Sequence, residues 1–347
     1  MTTPTPLPWS FSLAADRTTG ASLVAEVARR AQGTGDLDGA VWSALRSSGG
    51  DADFDLEDVL ERLRRWERYQ ALRLLGLGGG GAVFAAYDPR LQRDVALKFL
   101  WPRAYAHRAR ALEEARAQAQ VDHPHVVKIF ETGEVFGLAY IAMQRVEGGS
   151  LASVLPRLSR DQRLRLLAQA AEGVQAAHGC GVLHLDLKPA NILVDLRDPE
   201  RPWALVADFG LARSAEGPQG GSIGTPPFSS PEQLTGGRVS GRSDVYALGI
   251  CLDSLLADAP PFPAALMRDW GALAAAEPLP LAQRAPDAPK ALVELAAWAM
   301  AKDPAARPDA PRTFAEALGA CLSEAPTALA RRGRTWRWAA LGASLAL

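Results

Sequence analysis

One short run constrains this chain more than any other. His184-Leu185-Asp186-Leu187-Lys188-Pro189-Ala190-Asn191 is followed, after a short gap, by Asp208-Phe209-Gly210. An Asp stands five residues before an Asn, a Lys follows that Asp by two, and a second Asp opens a Phe-Gly turn. A polar turn whose Asp and Asn satisfy local backbone donors accounts for one such Asp. It does not account for Asp186, Lys188, Asn191 and Asp208 together. The set matches what phosphoryl transfer requires: one carboxylate to orient an attacking hydroxyl, and oxygen donors to hold magnesium.

Composition sets outer limits. The chain has 347 residues, 48% of them hydrophobic, and a formal net charge of −1. That is enough apolar material for two domains or one bilobal domain, and it argues against wholesale disorder. The near-neutral balance gives no general attraction to nucleic acid or acidic membranes. Cys180, Cys251 and Cys321 are far apart and odd in number, so they fit neither a metal spacing nor a disulfide framework.

Four zones follow from the pattern. Residues 1–20 read as a disordered tail without a secretory signal. Residues 21–68 carry helical spacing and read as a small helical extension. From Tyr69 the pattern changes to strands at 72–75, 82–87, 95–100, 126–130 and 138–144, with a helix at 107–120. After Glu147-Gly148-Gly149 the chain reads as mainly helical to about Cys321. The last zone, 324–347, holds Arg331, Arg332, Arg334 and Arg337 around Trp336, then Trp338 and an apolar run to Leu347. A spanning helix needs about 20 apolar residues, and this run is shorter. Basic residues, Trp and then apolar residues nevertheless form the pattern of a cytoplasmic flank entering a bilayer. A membrane anchor after residue 338 is therefore expected, with the preceding chain cytoplasmic.

A second motif, Gly76-Leu77-Gly78-Gly79-Gly80-Gly81-Ala82-Val83, lies between two strand patterns. Glycines let backbone N–H groups approach phosphates. A dinucleotide-binding reading needs a helix directly after the glycines, and a strand follows instead. Val95-Ala96-Leu97-Lys98 sits in the next strand.

Taken together, 69–323 resembles the protein kinase family, Ser/Thr branch, and its bacterial members above all. The resemblance implies an α+β bilobal fold, with a β-rich small lobe over 69–146 and a mainly helical large lobe over 147–323. It implies ATP and Mg2+ as cofactors and protein Ser or Thr hydroxyls as acceptors. Asp186 would orient the hydroxyl, Lys188 would neutralise charge on the transferring phosphate, and Asn191 and Asp208 would hold the metal. Lys98 would grip the α- and β-phosphates and pair with Glu114, chosen over neighbouring Glu113 by its register to His123-Pro124. The glycine loop (Gly76, Leu77, Gly78, Gly79, Gly80, Gly81) would cover the phosphates. Val83, Ala96 and Leu193 would enclose adenine, with Met143 as gatekeeper and the backbone of Gln144 and Val146 at its edge. Thr225 would touch Asp186 and Lys188, and Glu232 would form a buried ion pair with Arg307. Asp244 would hold the catalytic-loop backbone. Self-association for autophosphorylation fits the same family.

Three residues depart from the family pattern. Leu185 replaces an Arg that commonly joins a pocket for a phosphorylated activation segment, so Ser214 and Ser222 are not expected to matter greatly. Gln118 occupies an apolar position in a stack with Ile129, Phe209 and His184. A buried amide there either weakens docking of the helix or needs a partner, for which the N-terminal extension is one source. Ala190 replaces an acidic residue common in kinases that prefer basic substrates, so no strong demand for Arg upstream of the target is expected. Two other readings share parts of the pattern: an inactive kinase-like scaffold, and a small-molecule phosphotransferase. The second generally lacks the Lys188 pattern, Ser230-Pro231-Glu232 and Arg307.

Overall fold

The computed structural model describes residues 66–78, 81–100, 105–209 and 225–323. The N-terminal extension, the C-terminal basic and apolar run, Gly79, Gly80, Ser214 and Ser222 lie outside the described residues.

Alternation decides the small lobe. Strands β1 (Gln70–Gly78), β2 (Gly81–Asp88), β3 (Arg93–Leu100), β4 (Ile129–Val135) and β5 (Leu138–Gln144) form an antiparallel sheet in the order β1-β2-β3-β5-β4. Successive side chains in a strand point to opposite faces. On β3, Val95, Leu97 and Phe99 therefore join Phe84 and Tyr140 in one apolar layer. Ala96 and Lys98 are left on the opposite face, towards the large lobe. The strand expected at 126–130 starts later, at Ile129. Val126 instead makes a single parallel bridge to Val206.

The outer layer also pins the point where the chain enters the sheet. Trp66 packs edge-on to Tyr140 at 4.9 Å and Tyr69 at 5.1 Å between ring centroids. Arg68 bridges Asp88 at 2.7 Å and Glu131 at 2.8 Å. Glu131 also accepts a short hydrogen bond from the Tyr140 hydroxyl.

Helix α1 (Tyr105–Ala119) crosses the inner face, with Ala111, Leu112 and Ala115 packed against Leu100, Ala139 and Ile141. Gln118 is 4% exposed on this helix. Its Nε2 donates to the Val127 carbonyl at 2.8 Å, so the partner lies in the segment leading to β4, a source other than the N-terminal extension. Leaving that carbonyl unbonded carries a desolvation penalty. Gln118→Met is expected to lower stability by about 1–3 kcal/mol, read as a lower denaturant midpoint. An unchanged midpoint would show that the bond contributes nothing net.

The large lobe is built on α2 (Arg160–Gly179) and α3 (Gly241–Ala257), followed by α4 (Lys290–Ala299) and α5 (Pro311–Ser323). A reciprocal Ser159–Gln162 capping box starts α2. Helix α3 is buried from Ser243 to Leu256, and forms the lobe's central rod. Its start is capped by Ser240, and it ends at Asp258 in a left-handed turn. A side chain at Gly173 on α2 would bring its Cβ within 2.4 Å of the His125 carbonyl, so glycine lets the segment between α1 and β4 rest directly on the large lobe.

A second sheet was not legible in the sequence. Strands β6 (Gly148–Ser150), β7 (Ile192–Asp195) and β8 (Trp203–Val206) pair antiparallel in the order β6-β7-β8. They interrupt the region read as mainly helical. These strands are three or four residues long, too short for a period of two to declare itself. Between them they carry Leu193 and lead into Asp208.

Candidate active site

Between the two sheets lies an apolar layer made from both lobes. Ala96, Val127, Met143, Leu205 and Ala207 are buried in it, with Val83, Val146 and Leu193 partly buried against them. It brings together Val83, Ala96, Met143, Val146 and Leu193, which the sequence reading put around a purine. Gln144 ends β5 at the same edge, its backbone N–H donating to the Lys128 carbonyl at 2.8 Å. Among the loop glycines, Gly81 has a fold-imposed reason for its identity. A Cβ there would lie 1.9 Å from the Phe99 carbonyl. Gly76 meets nothing within 4 Å, so packing does not require glycine at that position.

Next to this layer the polar residues converge. Asp186 accepts at Oδ1 from the Thr225 backbone N–H at 2.7 Å and from its hydroxyl at 2.8 Å. At Oδ2 it accepts from Lys188 at 2.9 Å and Asn191 Nδ2 at 3.1 Å. Lys188 also donates a short hydrogen bond to Thr225 Oγ1. Asn191 Nδ2 donates to the Asp186 carbonyl at 2.8 Å, which turns its amide oxygen into the atom that can ligate a cation. The segment that begins at Thr225 and the loop of Asp186 to Asn191 are thus tied at the carboxylate itself.

Lys98 reaches across from β3 to Asp208 Oδ1 at 2.6 Å. Glu114 is the partner that the family resemblance implies for Lys98, and this contact with Asp208 lies outside that expectation. Glu114 is half-buried and Glu113 exposed, so the register puts Glu114 on the inner side of α1. Asp208 has φ 53°, a left-handed conformation that costs a non-glycine residue energy and aims its carboxylate at the cleft. Desolvation pushes the Asp208 carboxyl up, and Lys98, helped by Lys188, pulls it further down, to below its ordinary range.

Buried groups behind the loop fix its path. Asp244 on α3 accepts from the backbone N–H groups of His184 at 2.9 Å and Leu185 at 2.7 Å, and contacts His178 Nε2 at 2.7 Å. His184 lies 4.6 Å from the Phe209 ring, and its Nε2 faces the Ala207 carbonyl at 3.2 Å. Leu185 is buried with Leu183, against Val239. Glu232 makes a two-pronged pair with Arg307, at 2.8 and 2.9 Å.

These environments set an acid limit. Burial holds His184 and His125 below the ordinary histidine value of 6.5, so the fold resists their protonation. For Glu232 and Asp244, burial acts upward but Arg307 and His178 outweigh it, leaving both below their ordinary values. A depressed histidine contributes stability that is lost as pH falls from 6.5 towards its folded value. The depressed carboxylates keep theirs above the ordinary carboxylate range and lose it as pH falls through their folded values. Asp253, raised by burial, acts in the opposite sense. The urea midpoint is expected to fall steadily between about pH 7 and about pH 5, and faster below about pH 4. A flat midpoint over the first interval would contradict the histidine assignment.

Among the described residues, no group of three or more His, Cys, Asp and Glu is arranged to hold a metal. Asp208 and Asn191 nevertheless offer hard oxygen donors. That pair fits magnesium, which is usually bound through one or two carboxylates and substrate phosphates.

A family profile described as "Protein kinase domain" matches residues 69–318. The chain belongs to the protein kinase family. Among curated relatives of this chain is the serine/threonine-protein kinase PknD of Mycobacterium tuberculosis. It is 38% identical over 251 residues, covering 69% of this chain and 37% of the relative. The serine/threonine-protein kinase pkn2 of Myxococcus xanthus is 37% identical over 256 residues, covering 70% of this chain and 31% of the relative. The chain therefore spans less than two fifths of the length of either. A crystal structure of a double mutant of the Mycobacterium tuberculosis PknI kinase domain superposes with a TM-score of 0.61 at 29% identity, covering 74% of this chain and 96% of that one. The α+β bilobal kinase fold, with its β-rich small lobe and helical large lobe, is the fold of this chain.

Proposed function

We propose that this kinase transfers the γ-phosphoryl group of ATP to Ser or Thr hydroxyls of protein substrates. The observation that carries the reading is the four-residue knot of Asp186, Lys188, Asn191 and Thr225. One carboxylate gathers a lysine, an amide and the substrate-side threonine within hydrogen-bond reach. Asp186 orients the acceptor hydroxyl and takes its proton. Lys188 lies where negative charge grows on the transferring group. Lys98 holds the α- and β-phosphates, and Val83, Ala96, Met143, Val146 and Leu193 hold adenine. Asn191 and Asp208 would hold magnesium, which would supply positive charge to offset that of the phosphates. Positioning and charge stabilisation supply most of the catalysis.

Two further proposals concern the rest of the chain. Residues 324–347 serve as a basic flank leading to a membrane anchor, with the kinase domain on the cytoplasmic side. Among the described residues no helix is long and apolar enough to cross a membrane. Self-association would present one copy's Ser or Thr residues to another.

The acceptor class is tested with terminally labelled ATP and magnesium, offered a mixed protein substrate and small hydroxylated amines together. Label on protein Ser and Thr is expected. Label on the small molecules alone would replace the reading with small-molecule phosphotransfer. Nucleotide binding without any label would make the chain an inactive scaffold.

A further inference from the structure

Gln233 lies outside every motif discussed so far, on a short helix (Pro231–Leu234) that follows the substrate-side segment. Its side chain is buried and fully engaged. Oε1 accepts from the Ser230 backbone N–H and the Ser230 hydroxyl, both at 3.0 Å. That cap orients the amide, so Nε2 points away from the helix and donates to the Leu185 carbonyl at 2.8 Å.

Leu185 is an unusual acceptor. Its φ is 59°, left-handed backbone that a branched apolar residue adopts at a cost. It directly precedes Asp186. Its N–H is held by Asp244 at 2.7 Å, so Asp244 and Gln233 hold the two polar groups of one strained residue. Its side chain sits in an apolar cluster with Leu183 and Val239, and carries no charge through which a phosphate could act on the loop.

We infer that Gln233 is a positioning residue for phosphoryl transfer, an amide tether that locks the strained Leu185 peptide and so sets Asp186 against its acceptor. The tether joins the substrate-side segment to the catalytic loop without any modification of the chain. It acts alongside Thr225, whose backbone N–H and hydroxyl donate to the Asp186 carboxylate directly. The role as a positioning residue rests on the kinase activity proposed above, whereas the tether itself does not.

Gln233→Glu isolates the tether. A carboxylate still accepts from Ser230, so the helix cap survives, but it cannot donate to the Leu185 carbonyl. The full chain should then show kcat for a protein substrate lowered on the order of 10- to 100-fold, with KM for ATP within about twofold of wild type. Hydrogen exchange gives a readout independent of activity. The amides of Leu185 and Asp186 should exchange about 10-fold faster or more in the variant, while those of α3 keep wild-type protection. Equal exchange at Leu185 and Asp186 in the two proteins would overturn the tether. A wild-type kcat with accelerated exchange would overturn its role in positioning. Absence of transfer by the wild type would overturn the kinase activity, and the exchange comparison would still decide the tether.

Discussion

Asp186→Asn should lower the rate of phosphoryl transfer by about 10²- to 10⁴-fold while ATP affinity stays near that of wild type. The substitution keeps shape but removes the negative charge, the proton acceptor and one of the two accepting oxygens. Asp186 lies beyond the apolar layer assigned to adenine, and its partners are Thr225, Lys188 and Asn191. None of these lines the purine side of the cleft, and Asn191 keeps its bond to the Asp186 backbone carbonyl, so nucleotide binding should change little. Single-turnover transfer and ATP titration on the same preparation separate the two effects. Equal loss of both would mean that Asp186 supports the fold or the nucleotide, and that its assignment to the hydroxyl is wrong.

Arg307→Met should destabilise the large lobe by about 3–5 kcal/mol, the cost of leaving a buried charge without its partner. The Arg307 side chain has no exposed surface, and that of Glu232 is 11% exposed. All of the guanidinium nitrogens are engaged. Besides Glu232 they donate to the carbonyls of Ala301 at 2.7 Å, Arg242 at 2.9 Å and Lys302 at 3.0 Å. The guanidinium also lies over the Tyr246 ring, 4.8 Å from its centroid. Methionine keeps part of the volume and leaves Glu232 with Ser243 as its remaining side-chain donor. The double variant Arg307→Met with Glu232→Gln should recover part of the loss, because the uncompensated charge is gone. Denaturant melts of the three variants check this; a single-variant cost below about 1 kcal/mol would mean that the pair behaves as a surface contact.

What the sequence made legible follows a physical rule. Groups fixed by short local spacing could be read directly, and Asp186, Lys188 and Asn191 fall together in the structure because one tight loop carries them. Lys98 was legible through the resemblance of Val95-Ala96-Leu97-Lys98 to the family's third strand, and alternation on β3 explains why it faces the cleft. Glu232 with Arg307 is 75 residues apart in sequence, and only a family resemblance could suggest it. Contacts made through generic polar side chains were harder. Gln118 could be flagged as a buried amide, but nothing in a linear pattern points to the Val127 carbonyl as its partner. Gln233 gave no signal at all, since its role depends on the left-handed backbone of Leu185 about fifty residues away. The contact between Lys98 and Asp208 was likewise illegible, because two opposite charges predicted to meet the same phosphates also suit each other. The strands β6, β7 and β8 were missed for want of length.

The proposed activity requires Asp208 and Asn191 to join Lys98 around one metal-bound triphosphate. Calorimetric titration of ATP into wild type and Asp208→Asn, each with and without magnesium, tests this most directly. Magnesium should tighten ATP binding to the wild type and have little effect on the variant. Equal tightening in both proteins would contradict the placement of the cation at Asp208, and with it the site described here.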